Sequence, residues 1–165
     1  MPILLKGSCR CAAVRFEVMS HTPVPYQLCY CSICRKQQGG GGYAINLAAD
    51  AGTLKIKGER HLGIYRAEIE DEERPHCETS TGERRFCRKC GSALWLYDPN
   101  WPELVHPFAS AIDSEIPVAG ERVHLMLKYK ASWVEPDIRQ TDTAFDLFPR
   151  ESIEGWHKKR GLWVE

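Results

Sequence analysis

Three cysteines fall within six positions in Cys29-Tyr30-Cys31-Ser32-Ile33-Cys34, and Arg35, Lys36 and the glycine tract Gly39-Gly40-Gly41-Gly42 follow at once. Thiols this close are a poor choice for core packing. A run of this spacing lets one extended pair and one tight turn aim three sulfurs at a common point, and thiolates bind soft or borderline metals. Zinc is the natural occupant. A structural zinc takes four protein ligands as a rule, whereas a catalytic zinc keeps three and leaves one position for water or substrate. This run offers three.

Two further pairs, Cys9-Arg10-Cys11 and Cys87-Arg88-Lys89-Cys90 followed by Gly91, together make one complete set of four. That set reads as a structural zinc that ties the start of the chain to residues near position 90 and supplies folding free energy outright. The eighth cysteine, Cys77, stands alone and reads as a small buried hydrophobe. A disulfide framework is the competing explanation for eight cysteines. It fits poorly, because cysteines one residue apart do not readily pair and the opening Met-Pro-Ile-Leu-Leu-Lys is too short for a secretory signal.

The chain has 165 residues, enough for one domain, residues 1–165, with a real core. Lysine plus arginine number 22 and aspartate plus glutamate 22, so the formal net charge is zero and there is no basic excess of the kind a dedicated nucleic-acid binder shows. No apolar run is long enough for a membrane span. A cytoplasmic, reducing environment is expected, and the sequence leaves the oligomeric state open.

Hydrophobic alternation points to an all-β class with one short C-terminal helix. Strands are expected at Ile3 to Ser8 and Ala13 to Val18, with Cys9 and Cys11 on the turn between them. Further candidates are Tyr43 to Leu47, His76 to Ser80, Ser92 to Tyr97, Val105 to Ala109 and Val123 to Leu127. Thr53 to Gly58 and His61 to Arg66 look like the two arms of a hairpin, and Glu68 to Arg74 like a solvated loop closed by Pro75. Only Ser152 to Arg160 has a helical pattern, with Ser152 as its cap and Ile153, Trp156 and His157 on one face.

Other residues near the cysteines have plain readings. The glycine tract lacks the Lys-Ser or Lys-Thr of a phosphate loop, so close backbone approach or amide donation to a carboxylate fits it better. Arg35, Lys36 and Arg84 are simplest as solvated cations, although beside a thiolate site they could receive substrate carboxylates. The five tryptophans read as core and rim packing, and Lys158-Lys159-Arg160 as a solvated helix end. The three-thiol run has its own alternative, a second structural site completed by Cys77, His76 or His61.

Gly7-Ser8-Cys9-Arg10-Cys11, Cys29-Tyr30-Cys31-Ser32-Ile33-Cys34-Arg35 and Arg84-Arg85-Phe86-Cys87-Arg88-Lys89-Cys90-Gly91-Ser92 occur in the order seen in glutathione-dependent formaldehyde-activating enzymes. The chain resembles that family and its relative, centromere protein V. The resemblance implies a β-tent of coiled antiparallel sheets and two zinc ions per chain. It implies a structural ion on Cys9, Cys11, Cys87 and Cys90, and a catalytic one on Cys29, Cys31 and Cys34. Ala12 stands where a glycine commonly follows the first pair, and Tyr30 where a histidine is often found. The expected activity is that of a carbon–sulfur lyase, S-(hydroxymethyl)glutathione synthase-like, acting on the adduct of formaldehyde with glutathione or a similar thiol. The rival expectation is a non-catalytic zinc β-domain that carries a thiol adduct or recognises a protein or nucleic acid.

Overall fold

A computed structural model describes residues 1–69 and 78–165. Among these residues the chain is mainly β, with two short α-helices. One sheet holds β1 (Ile3–Ser8), β2 (Arg15–Ser20) and β6 (Lys55–Lys57) in the order β1-β2-β6. The first two strands form the expected hairpin, pairing antiparallel from Ile3 opposite Ser20 to Ser8 opposite Arg15. Alternation sends Leu5 and Gly7 inward from β1 and Phe16, Val18 and Ser20 inward from β2. Gly7 is required by this contact, since a Cβ there would lie 2.3 Å from the Phe16 ring.

The largest sheet has the order β5-β12-β11-β10-β7. Its strands are β5 (Ala49–Asp50), β7 (Leu62–Tyr65), β10 (Glu83–Cys87), β11 (Ala93–Tyr97) and β12 (Leu104–Pro107). The main core lies between this sheet and the first, where Leu5, Val14, Phe16, Val18, Leu94, Trp95 and Val105 pack together. Phe16 meets Trp95 edge-on at 5.0 Å between ring centroids, the arrangement aromatic quadrupoles favour.

The third sheet carries the three-cysteine run. Its order is β14-β13-β3-β4, with β3 (Gln27–Cys29), β4 (Ala44–Ile45), β13 (Val123–Leu125) and β14 (Thr143–Ala144). The expectation of antiparallel sheets fails here. β13 runs parallel to both β3 and β14, so Cys29 lies beside Leu125, and the Tyr30 N–H continues the ladder by donating to the Leu125 carbonyl. Parallel pairing needs a long crossover, supplied here by nearly the whole middle of the chain.

Three other expectations are corrected. Thr53 to Gly58 and His61 to Arg66 are not a hairpin: β6 pairs with β2 and β7 with β10, in separate sheets. Glu68 and Ile69 form β8 (Glu68–Ile69), paired with β9 (Glu78–Thr79), where a solvated loop was expected. The rest of that loop, with His76 and Cys77, lies outside the described residues. A helix, α1 (Ser32–Gln38), also forms inside the cysteine run. The C-terminal helix α2 (Ile153–Lys159) matches its expectation, with Ser152 Oγ accepting the Gly155 N–H at 3.0 Å.

Helix α2 buttresses the third sheet from outside. Trp156 stacks on Tyr26 at 3.6 Å, and the buried His157 accepts the Val24 N–H at Nε2 while its Nδ1 donates to the Ile153 carbonyl. Burial pushes the His157 pKa down, in keeping with that neutral tautomer. The helix end is less free than expected: Arg160 lies over the Trp156 ring and pairs with Glu121 and Glu151, while Lys158 pairs with Glu154. Trp95 and Trp156 are buried, but Trp101 and Trp133 are 60% and 67% exposed and contribute little packing.

Candidate metal centres

Hairpin and knuckle bring the first group together. Between β1 and β2 the chain turns at Cys9-Arg10-Cys11-Ala12, with the Cys9 N–H donating to the Val14 carbonyl and the Ala12 N–H to the Cys9 carbonyl. Ala12 adopts a left-handed φ of 61°, the conformation a glycine would take without strain. Between β10 and β11 the Gly91 N–H donates to the Cys87 carbonyl, so Cys87 and Cys90 face the same way. The Arg10 N–H reaches Ser92 Oγ at 3.0 Å and latches the two turns.

The sulfurs of Cys9, Cys11, Cys87 and Cys90 all lie within 4.8 Å of one another. Cys9 to Cys11 is 3.6 Å and Cys11 to Cys87 is 3.8 Å. A tetrahedron of zinc–sulfur bonds of about 2.3 Å has edges of about 3.8 Å, so four sulfurs at these separations fit zinc. Cys9 and Cys87 are buried and Cys11 and Cys90 exposed. The Cys90 pKa is pulled down to about 5 by the Ser92 hydroxyl and N–H and by the Cys11 backbone. At Cys11 the Ala13 N–H lowers the pKa, but desolvation and the neighbouring thiols outweigh it and raise it to about 11.

The second group is built by a strand end and a helix start. Cys29 ends β3, and Cys31 is the N-cap of α1, its Sγ accepting the Cys34 N–H at 3.3 Å. One helical turn then returns Cys34 to the same side, and the three sulfurs lie within 4.8 Å of one another. Among the described residues no fourth His, Cys, Asp or Glu joins them. His61, one proposed completion, sits instead beside the knuckle, where its carbonyl accepts the Arg88 N–H.

Helix α1 ends at Gly39, and Gly40 and Gly42 also take positive φ values. At Gly42 a Cβ would lie 2.3 Å from Val134, so the tract reverses the chain tightly against the 131–134 segment.

The surroundings of this group are unlike those of the first. Arg84, expected as a solvated cation, is only 9% exposed and points both terminal nitrogens at Cys34 Sγ, 3.8 and 3.7 Å away. Asn46 Nδ2 is 3.9 Å from the same sulfur, and Gln38 Nε2 lies 3.5 Å from Asn46 Oδ1. Hydrogen bonds from Cys29 and Cys31, with the Arg84 charge added, pull the Cys34 pKa far below the usual thiol range. The Cys29 thiol is pushed up by those same hydrogen bonds to Cys31 and Cys34 and by burial. At Cys31 the Cys29 hydrogen bond lowers the pKa, but the Cys34 hydrogen bond and burial outweigh it.

Tyr30, between two of the sulfurs, is fully buried and its hydroxyl lies 2.8 Å from His124 Nδ1. His124 Nε2 is 3.1 Å from Asp142 Oδ2, and Asp142 also pairs with Arg122 and Arg139. Burial alone would raise the Asp142 pKa, but hydrogen bonds from His124, the Arg139 N–H and Arg122 hold it well below the usual carboxylate range. Sequence reasoning named neither this chain of contacts nor Asn46. The aromatic Tyr30 inside a cysteine run was the one available signal.

A family model described as glutathione-dependent formaldehyde-activating enzyme matches residues 4–125. A Halomonas elongata protein named as a candidate glutathione-dependent formaldehyde-activating enzyme is 58% identical over 160 residues, which are 97% of this chain and 98% of that one. A crystal structure of a Rhodobacter sphaeroides protein aligns with 69% of this chain and 99% of its own at a TM-score of 0.48 and 25% identity.

Proposed function

The chain belongs to the glutathione-dependent formaldehyde-activating enzyme family, and on that premise we propose that it interconverts formaldehyde and glutathione, or a similar small thiol, with their carbon–sulfur adduct. In this reading residues 1–165 form a single β-tent domain that works in the cytoplasm, where thiols stay reduced. Cys9, Cys11, Cys87 and Cys90 hold a structural zinc, and Cys29, Cys31 and Cys34 a catalytic one. The observation that carries it is the group of three convergent sulfurs with no fourth ligand among the described residues.

Zinc on that group would supply a Lewis acid with a position to spare, which lowers the pKa of an incoming thiol. The protein's own residues do the rest. Cys29, Cys31 and Cys34 fix where the thiol sulfur sits. Arg35 and Lys36 project from α1 just past Cys34, and among the described residues the buried Arg35 Nε has no hydrogen-bond partner. They are the candidates to receive the carboxylates of a peptide-like thiol. In the forward direction the sulfur gives up its proton and bonds to the formaldehyde carbon, the carbonyl π bond breaks, and the oxygen takes a proton. Holding sulfur and carbon together converts a bimolecular encounter into an oriented one.

The test is exchange spectroscopy by NMR on glutathione and formaldehyde at equilibrium with their adduct. A catalyst lowers one shared barrier, so formation and breakdown must both quicken. The expected result is faster exchange with the wild-type protein and the uncatalysed rate with Cys31→Ser. Unchanged exchange across a panel of small thiols and aldehydes, with the protein metal-loaded, would overturn the enzyme reading. Saturable binding of one adduct per chain without rate enhancement would favour a carrier.

A further inference from the structure

Arg84 is the least exposed arginine in contact with either sulfur group, and among the described residues no carboxylate pairs with it. Two nearby arginines, Arg85 on the same strand and Arg66 just past β7, behave otherwise. Arg85 pairs with Glu83 at 2.8 Å, and Arg66 with the same carboxylate at 2.7 Å. A guanidinium this buried needs a compensating negative charge, and the group it faces is the sulfur of Cys34. Its strand, β10, lies between β7 and β11 in the largest sheet, so the side chain is delivered from a fixed backbone.

Charge counting gives this contact a purpose. Three thiolates around a divalent metal total minus one, and Arg84 brings the cluster to zero. Admitting one more thiolate then takes the total to minus one, and without the arginine it would reach minus two. In a site where Cys29 and Cys34 are buried, that difference is weakly screened. The Asn46 amide assists as a neutral donor to the same sulfur.

We propose that Arg84 is a positioning residue that acts through Cys34, holding the three-sulfur centre electrically neutral so that an anionic thiolate can enter it. The inference rests on the reading of that centre as a thiol site. Two measurements that need no turnover test it: zinc affinity of the three-sulfur centre by chelator competition, and glutathione affinity of the zinc-loaded protein by calorimetry.

Arg84→Gln is expected to weaken both by about 10- to 100-fold, the usual cost of losing a group that supports a metal ligand. Arg84→Lys should recover most of the glutathione affinity, because it keeps the charge. A packing role would not distinguish lysine from glutamine in that way. Since Arg84→Gln removes a buried side chain and could fail to fold, Asn46→Asp and Asn46→Ala test the same point without touching Arg84. The aspartate sets a negative charge against the sulfur and should lower glutathione affinity at least tenfold more than the alanine does. Equal effects of the two Asn46 variants, or unchanged affinities in a folded Arg84→Gln, would overturn the proposal. Slow NMR exchange with intact charge-dependent glutathione binding would instead sink only the catalytic reading.

Discussion

The two sulfur groups solve opposite problems. The four-sulfur group joins turns 76 residues apart in sequence, keeps two of its thiols exposed, and steadies its most acidic member, Cys90, with the neutral dipoles of Ser92. The three-sulfur group is local, comes from one strand end and one helix start, and is supported by a buried arginine. Four sulfurs that close a long loop suit a staple, since the binding energy of the metal becomes folding energy. Three sulfurs already held by a sheet, a helix and a charge do not need the metal to exist as a site. Strand β10 joins the two, with Arg84 near its start and Cys87 at its end.

The largest expected effect separates the groups by stability. Cys90→Ser should abolish cooperative thermal unfolding, because it removes one of the four sulfurs whose metal ties the knuckle to the hairpin, and that binding energy is folding energy. Cys31→Ser should keep a cooperative transition and lose one equivalent of metal by elemental analysis. If both variants collapse alike, the three-sulfur group is a second staple and the contrast fails.

A smaller effect concerns the support under the three-sulfur group. Asp142→Asn removes the charge that holds Arg122, Arg139 and His124 together, and because the two arginines are partly solvated a loss of about 2 kcal/mol is expected, the scale of hydrogen bonds to a charged group. The sign of the pH dependence follows from the depressed Asp142 pKa. Its stabilisation is complete above the unfolded carboxylate value near about 4 and is lost as pH falls through the folded value. The wild type should therefore lose its advantage over Asp142→Asn on acidification, which denaturant titrations at a series of pH values would reveal. An advantage independent of pH would show that shape, not charge, is what Asp142 provides.

The smallest effect lies in the staple's own turn. Ala12 holds a left-handed conformation that costs a residue with a Cβ about 1 kcal/mol or more. Ala12→Gly should raise the stability of the zinc-loaded protein by about 1 kcal/mol without altering the three-sulfur group. A drop in denaturant midpoint would mean that the Ala12 methyl group makes a contact worth more than the strain.

Both sulfur groups were legible because metal-binding turns are local: the ligands and the turn that aims them lie within a few residues. Ala12 stands out only against the family's pattern, and its φ explains why a glycine is common there. What escaped was the pairing of distant strands and the side-chain burial that this pairing sets. β6 and β7 look like two arms of a hairpin, and only the rest of the fold assigns them to different sheets. Nothing in Arg84-Arg85 says which arginine turns inward. Helix α1 could have been read, since Arg35-Lys36-Gln37-Gln38 before a glycine is a helix end, but the thiol spacing suggested a bare turn. The parallel β3–β13 pair was beyond reach, because it joins segments separated by most of the chain.

That parallel pair also carries a schedule. A chain leaves the ribosome from its N-terminus, and segments that pair with late residues must wait for them. The four sulfurs of the first group are all synthesised once Cys90 has emerged, whereas β3, which ends at Cys29 and can pair early with β4, gains its parallel partner only with Val123 to Leu125 and its outer support only with Asp142. Chains arrested at increasing lengths should thus acquire tight metal in two steps, the first after residue 90 and the second after residue 125. Cys29, Cys31 and Cys34 are thus made early and housed late, and during that interval their thiols are open to stray oxidants and electrophiles.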